Sequence, residues 1–243
     1  MSAVKKTRES PYQIAWRLKR MGYTKVKLDF SGGKESSACW LALQAEGVQV
    51  VPMMAVPYPH LEVTRQVNAY FEDYFKTKVF TYPMSRWYRC WKDLLYLDPY
   101  LVRVAETLKI KERPSADRIV RIQSALAGLP DGHMTVAGLR ASDSRQRFLS
   151  IYKHGVIAEG NLRCYPVAWC NESAIYSMLI HHGLKLPSLY KDLHQSFDVP
   201  RAKILDWLQI NLPEDYQRIL AFSPLIRLEQ ERYRIGGSDC SIR

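Results

Sequence analysis

A parallel, twisted α/β sheet with helices on both faces, followed by a helical C-terminal extension, is the fold this 243-residue chain predicts. Three observations carry the prediction. Lys25-Val-Lys-Leu-Asp-Phe30 is a short strand that runs into the turn Ser31-Gly-Gly-Lys-Glu-Ser-Ser37 and then into a helix at Ala38–Ala45. Val48–Val56 is a continuous apolar run, the pattern of a parallel strand buried on both sides. Strands and helices then alternate with no hairpin signal between them, which favours right-handed crossovers in one parallel sheet.

In chain order, Pro11–Arg20 has Ile14, Ala15 and Leu18 at helical spacing, with Gly22 as its stop. After the first strand, loop and helix, Pro57-Tyr-Pro-His60 breaks the second strand. Leu61–Phe75 places Val63, Val67, Tyr70, Phe71 and Tyr74 on one helical stripe. Lys78–Tyr82 is a third strand, residues 85–127 are largely helical with breaks at Asp98-Pro99 and Pro114, and His133–Ala137 is a fourth strand ending at Gly138. Asn171 caps a helix running to His182, closed by Gly183. From Pro200 two more helices are expected, separated at Leu212-Pro213, with a flexible end from Arg234. Residues 1–195 thus read as one α/β domain and 196–243 as the helical extension and tail.

Composition narrows the class. Apolar residues make up 47% of the chain, enough for a sizeable core, and no run reaches the ~18 apolar residues of a membrane span. The basic N-terminus lacks the apolar centre of a signal peptide, so a cytoplasmic protein with no membrane partner is expected. Five irregularly spaced cysteines (Cys39, Cys90, Cys164, Cys170, Cys240) contain no C-x-x-C pair, so neither a disulfide framework nor a metal or iron–sulfur site is expected. Thirty-five Lys and Arg against 24 Asp and Glu leave +11, an excess that attracts a polyphosphate or a nucleic acid without deciding between them.

The turn at 31–37 is built for an anion. Gly32 and Gly33 let successive N–H groups point inward, and the following helix offers its positive end. Ser31, Ser36 and Ser37 bring hydroxyls, Lys34 a point charge, and Glu35 an acid at the helix start. It is not a Walker A loop, because the G-x-x-x-x-G-K-[ST] spacing is absent. Gly138-Leu-Arg140 with Ser144, Arg145 and Arg147 is a second anion candidate, since an arginine past a strand end can grip two oxygens. The plainer reading of Arg147 is an exposed i,i+4 pair with Asp143. The loops at 31–36, 57–60 and 138–147 all fall at strand carboxyl ends, where open parallel sheets bind ligands.

Ser31-Gly-Gly-Lys-Glu-Ser36 resembles the pyrophosphate loop of the adenine-nucleotide alpha-hydrolase superfamily. Within it, the chain is similar to the phosphoadenosine phosphosulfate (PAPS) reductase family. Val136-Ala-Gly-Leu-Arg-Ala-Ser-Asp-Ser-Arg145 resembles that family's Gly-x-Arg…Ser-x-Arg segment. Cys164–Ile175, running on to His182-Gly-Leu-Lys-Leu-Pro-Ser-Leu-Tyr190, resembles its later Trp…His-Gly-Leu…Pro-Leu-Tyr stretch. The resemblance spans roughly residues 22–195. It implies an adenine nucleotide as ligand (PAPS, adenylyl sulfate or ATP), with Arg140 and Arg145 on its phosphate or sulfate groups and Lys34 assisting the chemistry. It further implies Cys240 as the thiol that attacks sulfur, with thioredoxin or glutaredoxin resolving the product. Three departures stand out. Glu35 replaces aspartate, Ala55-Val-Pro-Tyr-Pro-His60 replaces an Asp-Thr-Gly turn and makes Tyr58 and His60 either adenosine contacts or parts of a plain loop, and the tail lacks the Gly-Leu-His that follows the reductase cysteine. A Mg²⁺-dependent ATP pyrophosphatase that adenylates an acceptor, and a nucleotide- or nucleic-acid-binding module without turnover, therefore stay open, as does a homodimer.

Overall fold

The computed structural model describes residues 8–84, 98–107, 115–197 and 201–236. Helix α1 (Pro11–Arg20) opens on a capping box. The Ser10 hydroxyl accepts the Gln13 N–H at 3.2 Å, and the Gln13 side chain accepts the Ser10 N–H at 2.8 Å. The apolar residues expected inside, Ile14, Ala15 and Leu18, are buried. Strand β1 (Lys25–Asp29) follows, then α2 (Lys34–Ala45), β2 (Gln49–Val56), α3 (Glu62–Phe75) and β3 (Phe80–Pro83). Helices α4 (Pro99–Thr107) and α5 (Ala116–Leu126) precede β4 (Thr135–Ala137), a short 3₁₀ turn at Ala141–Asp143 and α6 (Arg145–His154).

Strands β5 (Ile157–Ala158) and β6 (Arg163–Cys164) complete a six-stranded sheet in the order β3-β2-β1-β4-β6-β5. Strand β1 pairs in parallel with β2 and β4, and β4 with β6. The last pair, β5 with β6, is antiparallel. The sequence reading missed both strands: two residues each is too short for any periodicity to show. Strands β1, β2 and β4 are buried along most of their length instead of on alternate residues, as in a sheet covered on both faces. The order reverses at β1, from which the chain turns first to β2 and later to β4, so the carboxyl ends of β1 and β4 form a topological switch point.

Helix α7 (Glu172–His181) begins where expected, with the Asn171 side chain accepting the Ala174 N–H at 2.8 Å. The remainder is α8 (Ser188–Leu193), α9 (Ala202–Asn211), α10 (Pro213–Phe222), a 3₁₀ turn at Pro224–Ile226 and α11 (Arg227–Gly236). Residues 234–236, read from sequence as part of a flexible end, belong to α11. No helix of the described residues is long and apolar enough to cross a membrane.

The chain divides into two compact units that interleave in sequence. The first comprises residues 1–54, 76–80 and 124–186, and the second 55–75, 81–123 and 187–243. Within the first, α2 is buried nearly all round, with Ala38 to Leu43 all inside and Trp40 meeting Phe30 edge-on at 5.2 Å. Within the second, Tyr58, Leu61, Val63, Leu189, Leu205 and Ile219 belong to a separate apolar core.

Candidate active site

The 31–37 loop leaves β1 and enters α2 through two glycines. Gly32 takes φ +70°, the left-handed region that glycine occupies without penalty, and Gly33 is the N-cap of α2. Having no side chain, Gly33 gives the first turn of α2 no cap. The Ser31 N–H reaches the Ser36 hydroxyl, and the Gly33 N–H the Ser31 hydroxyl, both at a long 3.3 Å. Those bonds are weak enough for a charged oxygen to replace, because ionised acceptors bind N–H groups about twice as strongly. The Ser36 and Ser37 hydroxyls were expected to face an anion; they donate to the Gly33 carbonyl at 3.0 and 2.9 Å and hold the turn in shape.

Gly138 locks the loop from the side. A Cβ at this position would lie 2.6 Å from the Ser36 amide nitrogen and 2.7 Å from the Glu35 carbonyl carbon, so only glycine lets the end of β4 approach so closely. The expected meeting of the 31–36 and 138 loops at adjacent strand ends is present. The cleft beside them has a volume of about 580 Å³ and is lined by Ser31, Ser36 and Gly138 together with Asp29, Asn161 and Arg163.

The charges carried by the loop and by the segment after β4 are paired with one another. Lys34 Nζ lies 2.9 Å from Glu35 and 3.2 Å from Glu172, and 5.9 Å over the Tyr176 ring. Arg140 contacts Glu35 at 3.5 Å and Asp143 at 3.0 Å. Asp143 also holds Arg147 at 2.9 Å, the i,i+4 pair weighed above. Ser144 is the N-cap of α6, accepting the Arg147 N–H at 3.2 Å, and Arg145 is exposed at the helix's first position.

The sequence reading missed the floor of the cleft. Lys27 is 1% exposed and bonded to one oxygen of Asp29, whose other oxygen accepts from Arg163 at 3.0 Å. The signal was present: Lys27 and Asp29 are two apart in a strand, so both face one side, opposite Val26 and Leu28.

Tyr58 and His60 lie in the second unit and line a different cleft with α3 and β3. Tyr58 is 7% exposed, its hydroxyl donates to Ser223 at 3.2 Å, and its ring meets Phe222 edge-on. His60 is exposed at φ +60°. Cys240 lies outside the described residues, as does Cys90. Cys39 and Cys164 are buried, and burial pushes the Cys39 thiol well up and the Cys164 thiol up to about 12. Burial also raises Cys170, against the lowering effect of Arg140. None of these three is poised as a thiolate. Among the described residues no group of three or more His, Cys, Asp or Glu is placed to hold a metal ion.

Comparison with known proteins adds structural likeness to this geometry. No protein-family model matches the chain, and no curated protein matches it. Among solved structures it is similar to an NH3-dependent NAD synthetase from Campylobacter jejuni subsp. jejuni NCTC 11168, in complex with the nitrate ion. The two share 12% identity and a TM-score of 0.44, over 95% of this chain and 94% of that one.

Proposed function

We propose that the first unit binds an adenine nucleotide, with phosphate or sulfate oxygens in the 31–37 loop, and that the protein is an enzyme acting on that nucleotide. The observation that carries the reading is the N-terminus of α2. It has no side-chain cap, sits at the switch point of the sheet, and is held by the close approach of Gly138. Amide donors and a helix dipole at such a point favour an anion.

The reaction proposed first is the reduction of a sulfonucleotide. The loop holds the phosphate and sulfonate oxygens, Lys34 and Arg140 move from their carboxylates to the ligand, and the Cys240 thiolate attacks sulfur. The S–O bond to the phosphate breaks and the nucleotide leaves. A second thiol, from thioredoxin or glutaredoxin, then attacks the cysteine sulfur and releases sulfite as a disulfide forms. The buried state of Cys39 and Cys164 argues against either of them in this role.

Glu35 favours a second reaction. Its carboxylate stands among the cations expected to grip the ligand, 2.9 Å from Lys34 and 3.5 Å from Arg140, where it would repel a bare sulfonate. Mg²⁺ is commonly held by one or two carboxylates plus substrate phosphates, and Glu35 fits the first part of that set. Held there with ATP, Mg²⁺ would neutralise charge developing at the α-phosphate as an oxygen of an acceptor or of water attacks it; the α–β bond breaks, and the loop amides orient the departing pyrophosphate.

The test is a thermal-shift series with ATP, PAPS and adenylyl sulfate, repeated on Gly138→Ala. A ligand at a hundred times its Kd should raise Tm by about 5–10 °C, and the variant should lose the shift. Absence of any shift at millimolar adenylate would end the proposal. Sulfite release abolished by Cys240→Ser selects the first reaction; AMP and pyrophosphate formation indifferent to that change selects the second.

A further inference from the structure

Helix α6 differs from the other helices of its unit. Ile151 is its one buried side chain, while Phe148, Leu149 and Tyr152 are 41%, 53% and 76% exposed. A surface helix normally turns its apolar stripe toward the core. Here Arg145, Phe148, Leu149 and Tyr152, at spacings of three and four, form a stripe that faces solvent. Its rings touch one another. Phe148 and Tyr152 lie parallel at 12° with centroids 6.0 Å apart, and Phe148 meets Trp169 edge-to-face at 6.1 Å. The guanidinium of Arg8 lies 4.9 Å over the Trp169 ring. The helix carries Arg145, Arg147 and Lys153 and no acidic residue.

Charge decides what such a surface meets. The first unit has 17 Lys and Arg against 8 Asp and Glu, a formal +9, while the second has 18 against 16, a formal +2. A second copy of this surface would be repelled. An interfacial membrane helix needs an apolar face that runs along several turns, whereas this stripe has three apolar residues, Phe148, Leu149 and Tyr152, beyond Arg145. Aromatic rings interleaved with cations instead match a strand whose bases are unpaired: bases stack on the rings, and phosphates meet the cations.

We propose that the exposed face of α6, with Trp169 and Arg8, binds single-stranded nucleic acid. Bases stack on Phe148 and Tyr152, and Arg145 and Lys153 hold the adjoining phosphates. The helix follows in sequence the loop carrying Gly138 and Arg140, of which Gly138 lines the cleft. If the ATP-cleaving reading above holds, the strand is the acceptor; the binding itself does not depend on that reading.

The experiment uses the full chain and a fluorescein-labelled 15-nucleotide oligothymidylate, followed by anisotropy from 50 to 200 mM salt. Binding should weaken with a log–log slope of about −2 to −3, the value for three or four neutralised phosphates on a single strand. Phe148→Ala with Tyr152→Ala should weaken it at least about tenfold, leaving the salt slope, the far-UV circular dichroism and the nucleotide thermal shift unchanged. Tyr152→Ser alone, at a site 76% exposed, provides a milder second variant with the same direction of effect. Arg145→Ala with Lys153→Ala should flatten the slope by about 1.4. Four outcomes overturn the proposal: no binding at 50 mM salt, unchanged affinity in the aromatic variants, equal affinity for a blunt duplex, or preference for phosphatidylserine vesicles. A thermal-shift failure with every adenylate would sink the nucleotide reading and leave this result standing.

Discussion

Two helices in this molecule begin with the same deficit and resolve it differently. In the second unit, α3 starts at Glu62, and the N–H groups of Glu62 and Val63 donate to the two oxygens of Asp215 at 2.8 and 2.7 Å. Asp215 is fully buried and is held in turn by Arg218 at 3.2 Å. In the first unit, α2 starts after Gly33 with no side-chain cap. One N-terminus has its anion supplied from inside the protein. The other has the same dipole, is approached closely by Gly138, and has no side-chain cap of its own. The difference is what the proposed nucleotide reading rests on: α2 opens on a glycine N-cap beside Gly138, where α3 opens on a buried carboxylate.

The comparison breaks most visibly at Asp215. Asp215→Ala removes both oxygens from α3 and leaves two donors unsatisfied in a buried place, so urea unfolding should show a loss of about 3–4 kcal/mol. A loss under 1 kcal/mol would mean that Asp215 is not what closes α3. The reciprocal change sharpens the contrast. Gly33→Asp gives α2 the internal carboxylate that α3 already has; it should cost nucleotide affinity about tenfold or more, read by thermal shift, while leaving the stability of the free protein within about 1 kcal/mol.

The smallest expected effect concerns pH. The Cys164 thiol is pushed from 9.0 up to about 12 by burial, so between those values the unfolded chain has lost a proton that the folded chain keeps. Stability from this group is fully present below about pH 9 and falls as pH rises toward 12. In Cys164→Ala the alkaline decline measured by denaturant titration should be shallower than in the wild type.

The parts of this molecule that were legible in the sequence are those with a local cause. The Ile14, Ala15 and Leu18 stripe, the apolar run of β2 and the Asn171 cap each depend on residues within a turn or two, and each is found where the pattern put it. The loop was legible for the same reason, since Gly32 and Gly33 declare their backbone freedom in the sequence itself. What escaped depends on distant partners. Strands β5 and β6 exist because they pair with each other and with β4. Arg163 reaches the cleft only because β6 lies beside β4 and so brings it within 3.0 Å of Asp29, 134 residues earlier. In sequence Tyr58 is a candidate adenosine contact; its ring packs on Phe222 and its hydroxyl is bonded to Ser223, 165 residues away. Ser36 and Ser37 show a third kind of limit: their composition suited an anion, but at helix positions three and four from Gly33 the nearest acceptor is its own carbonyl.

The capping carboxylate of α3 carries a consequence for biosynthesis. Glu62 and Asp215 stand 153 residues apart, so when α3 leaves the ribosome its first turn has to wait for nearly all of the remaining chain. Closing so long a loop is slow and entropically costly. A nascent polypeptide stalled before residue 215 would present α3 frayed at its start, open to a chaperone or a protease.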